Sequence, residues 1–210
     1  MLRILITDDH KIMRDGLKKI LGDSFPSVHF GEAANSSEAI KMVEKYEWDL
    51  IIMDINLPGR NGLDAIKEIQ RSNPHIPILV LSMYPEDQFA VRAIRAGASG
   101  YLNKDSAPDE LVTAIKTIRQ GHPFITSTVA LELASEVRGE MQNTAHKSLS
   151  DREYEVLCHI ASGKPVSAIA QELSLSVKTI STYRSKILEK LGMKNNAELT
   201  YYAIRNGLIT

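Results

Sequence analysis

A chain of 210 residues, 43% hydrophobic and 24% charged, has the composition of an ordinary folded protein and room for two domains. Its formal net charge of −1 selects no partner, and no apolar run reaches the roughly 18 residues that a membrane span needs. Cys158 is the single cysteine, which excludes an intrachain disulfide and a cysteine-based zinc cluster. The opening, Met1 to Asp9, is too short and too soon acidic for a signal peptide, so the expected location is the cytoplasm.

The first half alternates short apolar runs with helical spacing. Leu2–Thr7 reads as a buried strand ending in Asp8-Asp9. Lys11–Leu21 follows as a helix whose core face is Ile12, Met13, Leu17, Ile20 and Leu21. Val28–Ala33 is a second strand, and Ser36–Lys45 a helix that Ser36 is expected to cap. Asp49–Asp54 is apolar on both faces, as a central parallel strand must be. Gly62–Arg71, Ile76–Ser82, Asp87–Arg95, Gly100–Leu102 and Pro108–Arg119 then give helix, strand, helix, strand, helix. Five βα units in succession predict an α/β, flavodoxin-like doubly wound sheet, with its site beyond the carboxyl ends of the strands.

Gly121-His122-Pro123 ends that pattern. Ser127–Met141 is expected to be helical, with Val129, Leu131, Leu133, Ala134 and Val137 apolar, and Gln142–Lys147 to be a flexible linker. From Leu149 onward only helical patterns occur, predicting an all-α four-helix domain. The expected division is therefore residues 1–121, a connecting stretch 122–147 and residues 148–210. From Ser148 on, the chain carries two net positive charges and the remainder three net negative ones. So mild an asymmetry also suits a plain solvated surface.

The acids fall where the strands end. Asp8 and Asp9 close the first strand and Asp54 the third, which are neighbours in a flavodoxin-like sheet; Ser82 closes the fourth, and Lys104 follows the fifth. Three clustered carboxylates repel one another unless a cation joins them. Hard oxygen ligands with open positions suit Mg²⁺ shared with phosphate oxygens. A carboxylate there can attack phosphorus, while a lysine and a hydroxyl neutralise the phosphoryl oxygens. Any one of these positions could simply be a polar strand end reaching water, but the five together point to a phosphoryl-accepting site.

Thr7-Asp8-Asp9-His10, Met53-Asp54-Ile55-Asn56-Leu57-Pro58-Gly59, Leu81-Ser82-Met83 and Gly100-Tyr101-Leu102-Asn103-Lys104 resemble the receiver domain of two-component response regulators. The resemblance implies that Asp54 is the phosphoacceptor, and that Asp8, Asp9 and Asp54 hold Mg²⁺ with the backbone carbonyl of Asn56. It makes Ser82 and Tyr101 switch residues: phosphate draws the Ser82 hydroxyl inward and Tyr101 turns to fill the vacated space, while Lys104 pairs with the phosphoryl group. Ser82 departs from the more frequent threonine, and Asp105 stands where many receivers have proline. Tyr84 and Asn56 fall on positions that influence phosphoryl lifetime, and a bulky Tyr84 is expected to slow hydrolysis.

In the second half, Ser150 with Glu153 forms a capping box that opens a helix over Asp151–Ser162. Val166–Leu173, the turn Ser174-Leu175-Ser176, and Val177–Leu191 make a helix-turn-helix; Asn196–Asn206 is the last helix, stopped by Gly207. Val177, Ile180, Ile187, Leu188 and Leu191 are expected inside, with Leu199, Ala203 and Ile204 on the last helix. Lys178, Thr179, Ser181, Thr182, Ser185 and Lys186 then lie outside, suited to phosphates and base edges. Periodicity alone leaves open a small bundle that binds protein.

Leu149-Ser150-Asp151-Arg152-Glu153, Val166-Ser167-Ala168-Ile169-Ala170, Ser176–Tyr183 and Leu188-Glu189-Lys190-Leu191-Gly192 resemble the LuxR-type domain of NarL/FixJ regulators. This implies double-stranded DNA as partner: Ser181, Thr182 and Ser185 would face bases, and Lys178, Thr179, Tyr183 and Lys186 the backbone. Ser181 replaces a frequent lysine, leaving the preferred sequence open. The last helix would be a dimer surface suited to two-fold half-sites. The whole resemblance implies a transcription factor, not an enzyme, switched at Asp54 by a partner histidine kinase. Two other readings are a phosphatase-like enzyme using Asp54 as nucleophile, and a phosphorylation-independent regulator whose receiver only dimerises.

Overall fold

Continuous apolar stretches become the inner strands of one parallel five-stranded sheet. The strands β1 (Leu2–Thr7), β2 (Val28–Ala33), β3 (Leu50–Met53), β4 (Ile78–Ser82) and β5 (Gly100–Asn103) run in the order β2-β1-β3-β4-β5. Every residue of β3 and β4 is buried, whereas the edge strand β2 mixes buried and exposed positions, as a one-sided strand does. This is a computed structural model; it describes residues 1–138 and 145–209, which fall into two compact units, Met1–Glu140 and Met141–Thr210.

In the first unit the strands alternate with α1 (Lys11–Ser24), α2 (Ser36–Lys45), α3 (Gly62–Ser72), α4 (Glu86–Ala96) and α5 (Ala107–Arg119). Ile4, Ile6, Leu50, Ile52, Leu79 and Leu81 face one layer, where they pack with Leu17 and Leu21 of α1 and Leu111 and Ile115 of α5. Residues in between, such as Leu5, Ile51 and Val80, point to the opposite face because side chains alternate along a strand. Each fully buried Leu or Ile contributes about 1.5–3 kcal/mol relative to exposure, so these two layers dominate the stability of the unit.

Two local expectations change. Ile12 is 88% exposed, because the core face of α1 narrows to Leu17 and Leu21 with Met13 and Ile20 half-buried. The cap of α2 is Asn35, whose side chain accepts from the Glu38 amide, and the Glu38 carboxylate returns to the Ala34 amide. Ser36 is buried one position further on, and its hydroxyl donates to the Arg60 carbonyl.

Residues that follow α5, placed by sequence in a connecting stretch, pack within this first unit. Phe124 lies alongside β5 in parallel: the Tyr101 amide donates to the Phe124 carbonyl, and the Phe124 amide to the Ser99 carbonyl, each at 3.0 Å. Gly100 permits this approach, since a Cβ there would meet the Phe124 carbonyl oxygen at 2.8 Å. The helix α6 (Ser127–Val137) then packs on α4 with Val129 buried, while Leu131 stays exposed. The Thr126 hydroxyl, not Ser127, accepts from the Val129 amide at the start of α6, and the Thr126 amide donates to Glu86. Of the flexible linker expected over Gln142–Lys147, residues 142–144 lie outside the described residues, as do 139–141 of the expected helix, whereas Ala145–Lys147 belong to a 3₁₀ turn instead of a featureless linker.

The second unit holds α7 (Asp151–Ala161), α8 (Val166–Glu172), α9 (Val177–Leu191) and α10 (Asn196–Arg205), preceded by a 3₁₀ turn at Ala145–Ser148. The capping box forms as read: Ser150 accepts from the Glu153 amide and Glu153 from the Ser150 amide. Sequence periodicity gives α7 one apolar face, yet all but its first residue are buried, because α8, α9 and α10 all pack against it. Val177 (53% exposed) and Ile204 (60% exposed) leave the core, which keeps Ile180, Ile187, Leu199 and Ala203. Among the described residues no helix is long and apolar enough to cross a membrane.

His159, buried in α7, gives this unit a pH dependence. Burial, then the nearby Lys164 and Arg152 charges, lower its pKa from 6.5 to about 4, against the opposing pull of Glu172. The unfolded chain takes up a proton below about 6.5 while the folded one refuses it until about 4. Stability is therefore full above 6.5 and is lost as pH falls through that window, with a slope of at most ~1.4 kcal/mol per pH unit. Denaturation midpoints of this unit between pH 7 and 4 check this, and His159→Gln is expected to flatten the profile.

Candidate functional site

The carboxyl ends of β1 and β3 lie side by side, with Thr7 of β1 opposite Met53 of β3, so the residues that follow are brought together. The side chains of Asp8 and Asp54 are each 2% exposed, and that of Asp9 is partly open to solvent. Lys104, immediately after β5, crosses to both: its Nζ donates to Asp8 Oδ2 at 2.6 Å and to Asp54 Oδ2 at 2.7 Å. The Asn56 amide donates to Asp54 Oδ1 at 2.9 Å, and the His10 amide to Asp8 Oδ1 at 2.8 Å. Gly62 must lack a side chain here, since a Cβ would run into the Asp54 carbonyl oxygen.

Two buried carboxylates, those of Asp8 and Asp54, thus share one ammonium. Burial pushes the Asp54 carboxyl above its ordinary range, and Lys104 only partly offsets it. Burial also works against the Lys104 ammonium, but Asp54 and Asp8 outweigh it and hold its pKa above the usual value. The Lys104 shift reflects two carboxylates gathered around one ammonium. Asp9 joins them at the open side, with His10 Nδ1 2.9 Å from Asp9 Oδ1 and 3.4 Å from Asp8 Oδ1.

Ser82 and Tyr101 meet through the loop after β4. The Tyr84 amide donates to Ser82 Oγ at 3.1 Å, and the Tyr84 carbonyl accepts from the Tyr101 hydroxyl at 2.7 Å and from the Asn103 side chain at 3.2 Å. The Tyr84 ring stacks on Phe89 with centroids 4.3 Å apart. Both Ser82 and the Tyr101 ring are already buried. Both residues are thus bonded to the backbone of Tyr84, Ser82 accepting from its amide and Tyr101 donating to its carbonyl. Asn103 was not singled out from sequence, since its use is a side-chain bond to a backbone carbonyl 19 residues away.

On the second unit, Ser176 caps α9 by accepting from the Thr179 amide. Lys178, Ser181, Thr182, Ser185 and Lys186 are exposed on its outer face, while Thr179 and Tyr183 are half-buried. The hydroxyls of Ser181, Thr182 and Ser185 rest on the carbonyls four residues earlier, which leaves their oxygens able to accept. Ser176, Lys178, Thr179, Thr182, Tyr183 and Lys186 line a shallow depression of about 310 Å³ at the start of the helix.

The flavodoxin-like sheet with acids at its carboxyl edge, followed by a helix-turn-helix, defines a receiver coupled to a nucleic-acid-binding output. Residues 4–116 match the response regulator receiver domain, and residues 147–203 the bacterial regulatory proteins of the luxR family. The response regulator UvrY of Escherichia coli K12 is 36% identical over 209 residues, covering 99% of this chain and 96% of the relative. GacA of Pseudomonas aeruginosa is 33% identical over 210 residues, covering 100% and 98%. Among solved structures, RcsB of Salmonella enterica serovar Typhimurium, bound to promoter rprA in the presence of phosphomimetic BeF3⁻, superposes with a TM-score of 0.62 at 29% identity. That match covers 96% of this chain and 98% of the other. The chain belongs to the NarL/FixJ family of two-component response regulators, transcription regulators with a receiver and a LuxR-type helix-turn-helix.

Proposed function

We propose that Asp54 accepts a phosphoryl group from a partner histidine kinase, and that this governs binding of the second unit to double-stranded DNA. The observation that carries the reading is Lys104, a buried ammonium bonded at once to Asp8 and Asp54. A carboxylate oxygen of Asp54 forms the new bond to phosphorus, while the bond from phosphorus to the donor's imidazole nitrogen breaks and that nitrogen keeps the electron pair. Asp54 is then an acceptor that is loaded and reset.

The donor set fits a divalent cation. Asp8, Asp9 and Asp54 supply hard oxygens against one lysine, and two buried oxygens, Thr7 Oγ1 and Asn56 Oδ1, have no hydrogen-bond partner among the described residues. Asp8, Asp9, Asp54 and the Asn56 carbonyl would hold Mg²⁺. Bound there, the ion supplies positive charge beside the transferred phosphoryl oxygens. Lys104 exchanges a carboxylate for a phosphoryl oxygen, Ser82 offers its hydroxyl, and Tyr101 follows through the shared Tyr84 carbonyl. Tyr84 slows hydrolysis of the acyl phosphate.

Residues 1–121 act as receiver, 122–147 as connector, and 148–210 as the DNA-binding part. Ser181, Thr182 and Ser185 face bases, while Lys178, Thr179, Tyr183 and Lys186 hold the backbone. Phosphorylation favours a homodimer that binds two-fold half-sites in the cytoplasm, with α10 at the dimer surface. The test uses genomic fragments selected by acetyl-phosphate-treated wild type. Treatment is expected to raise wild-type affinity about tenfold and to leave Asp54→Asn unchanged, in the range of ordinary coupling energies. Equal gains in both, or none in wild type, would end the reading.

A further inference from the structure

The backbone at Asp8 is held at two points by β2, and the hold on the Asp8–Asp9 peptide runs through a side chain that no part of the phosphoryl chemistry uses. The Asp8 amide donates directly to the Ala33 carbonyl at the end of β2, 3.2 Å away. The Asp8 carbonyl accepts from Arg14 Nη1 at 2.7 Å, and the same guanidinium donates through Nε to Glu32 Oε2 at 2.8 Å. Glu32 is the β2 residue just before Ala33, and its second oxygen accepts from Lys18 at 2.6 Å. Lys18 is in turn paired with Asp15 at 2.8 Å. The Arg14 side chain is only 13% exposed, so it is packed as well as bonded.

The carbonyl that Arg14 holds belongs to the peptide joining the two acids. Rotating that peptide would swing Asp9 relative to Asp8 and change the spacing of their carboxylates. A planar guanidinium, bonded to the carbonyl on one edge and to Glu32 on another, resists this rotation in a way that a single point donor cannot. We infer that Arg14 is a positioning residue: anchored on Glu32, it fixes the Asp8–Asp9 peptide and so sets the affinity of the pocket for a divalent cation. This rests on the reading of Asp8, Asp9 and Asp54 as cation ligands. Arg14 touches neither cation nor phosphoryl group and acts through backbone alone, so it changes how readily the pocket fills and not the rate once it is full.

The experiment measures Mn²⁺ binding to the unphosphorylated full-length chain by electron paramagnetic resonance, beside the Mg²⁺ dependence of phosphorylation by acetyl phosphate. Arg14→Ala is expected to weaken Mn²⁺ binding about tenfold, the usual consequence of losing an outer-shell support. The Mg²⁺ concentration for half-maximal phosphorylation rises with it, while the rate at saturating Mg²⁺ stays at the wild-type level. Glu32→Gln, which weakens only the anchor, shifts both in the same direction by less, and Arg14→Lys restores part of the loss. If Arg14→Ala does not fold, Arg14→Lys and Glu32→Gln carry the test alone. Unchanged Mn²⁺ affinity in the folded variants overturns the role, as does a plateau rate that falls with the affinity. Wild type that binds no Mn²⁺ and is not phosphorylated overturns the cation-pocket reading beneath it, whereas normal wild-type behaviour with indifferent variants removes Arg14 only.

Discussion

Lys104→Met is expected to leave Asp54 open to phosphorylation by acetyl phosphate while removing the gain in DNA affinity, about tenfold in wild type by the usual scale of coupling between sites. Lys104 is the ammonium that links the buried carboxylates of Asp8 and Asp54, and it sits directly after β5. Its neighbour Asn103 holds the Tyr84 carbonyl, which the Tyr101 hydroxyl shares. A lysine drawn from carboxylate to phosphoryl oxygen therefore moves the same short stretch that grips the switch loop. Methionine fills the space without that pull, so the phosphoryl group arrives unheard. A second consequence concerns the empty pocket. Losing one partner of a buried ion pair typically costs about 3–5 kcal/mol, because the remaining charge is stranded. The first unit of Lys104→Met should melt lower in EDTA, and Mg²⁺ should restore more stability to it than to wild type. A variant that keeps the phosphorylation-dependent gain, or melts like wild type in EDTA, contradicts this account.

Much of the first unit could be read from sequence because its determinants are local. Fully apolar strands, helical spacing and acids at strand ends each carry their own signal, and Asp8, Asp54 and Lys104 converge as that reading requires. The features that escaped depend on what tertiary packing does to a residue. Ser36 and Asn35 are both good caps, and only the buried Arg60 carbonyl decides that Ser36 is used elsewhere. Arg14 gives no sequence signal, since it recognises a carbonyl that every residue has. The stretch around Phe124 looks like connector because its pairing to β5 uses backbone, and Gly100 is its one hint. Tyr101 stands out through the resemblance alone, and its bond to the Tyr84 carbonyl, 17 residues away, leaves no mark in the sequence.

The same limit explains α7, and it leads to the largest stability effect expected in the second unit. Arg152, Glu153, Glu155 and His159 would ordinarily mark an exposed face, yet all four are buried because α8, α9 and α10 surround the helix. Arg152 pairs with Glu155 inside, and Glu153 accepts from Lys190 of α9 at 2.6 Å. Burial works against ionised Glu153, but Lys190 and Ser150 prevail and hold its pKa below the ordinary value. Arg152→Met should destabilise the unit, by up to about 3–5 kcal/mol, since the buried Glu155 carboxylate then loses the guanidinium it is paired with. The double replacement Arg152→Met with Glu155→Leu should recover part of that loss, because the pair is then removed as a unit. Hydrogen exchange of the α7 and α9 amides in the full-length chain reads both, independently of Asp54. If the single variant exchanges like wild type, the pair is not what holds α7 in place. If the double variant is as weak as the single, the cost lies in shape and not in charge. With the double variant restored, its DNA binding separates two roles for α7. Wild-type affinity would make the buried pair a matter of stability, whereas stable protein with weakened binding would show that these charges set the seat of α9.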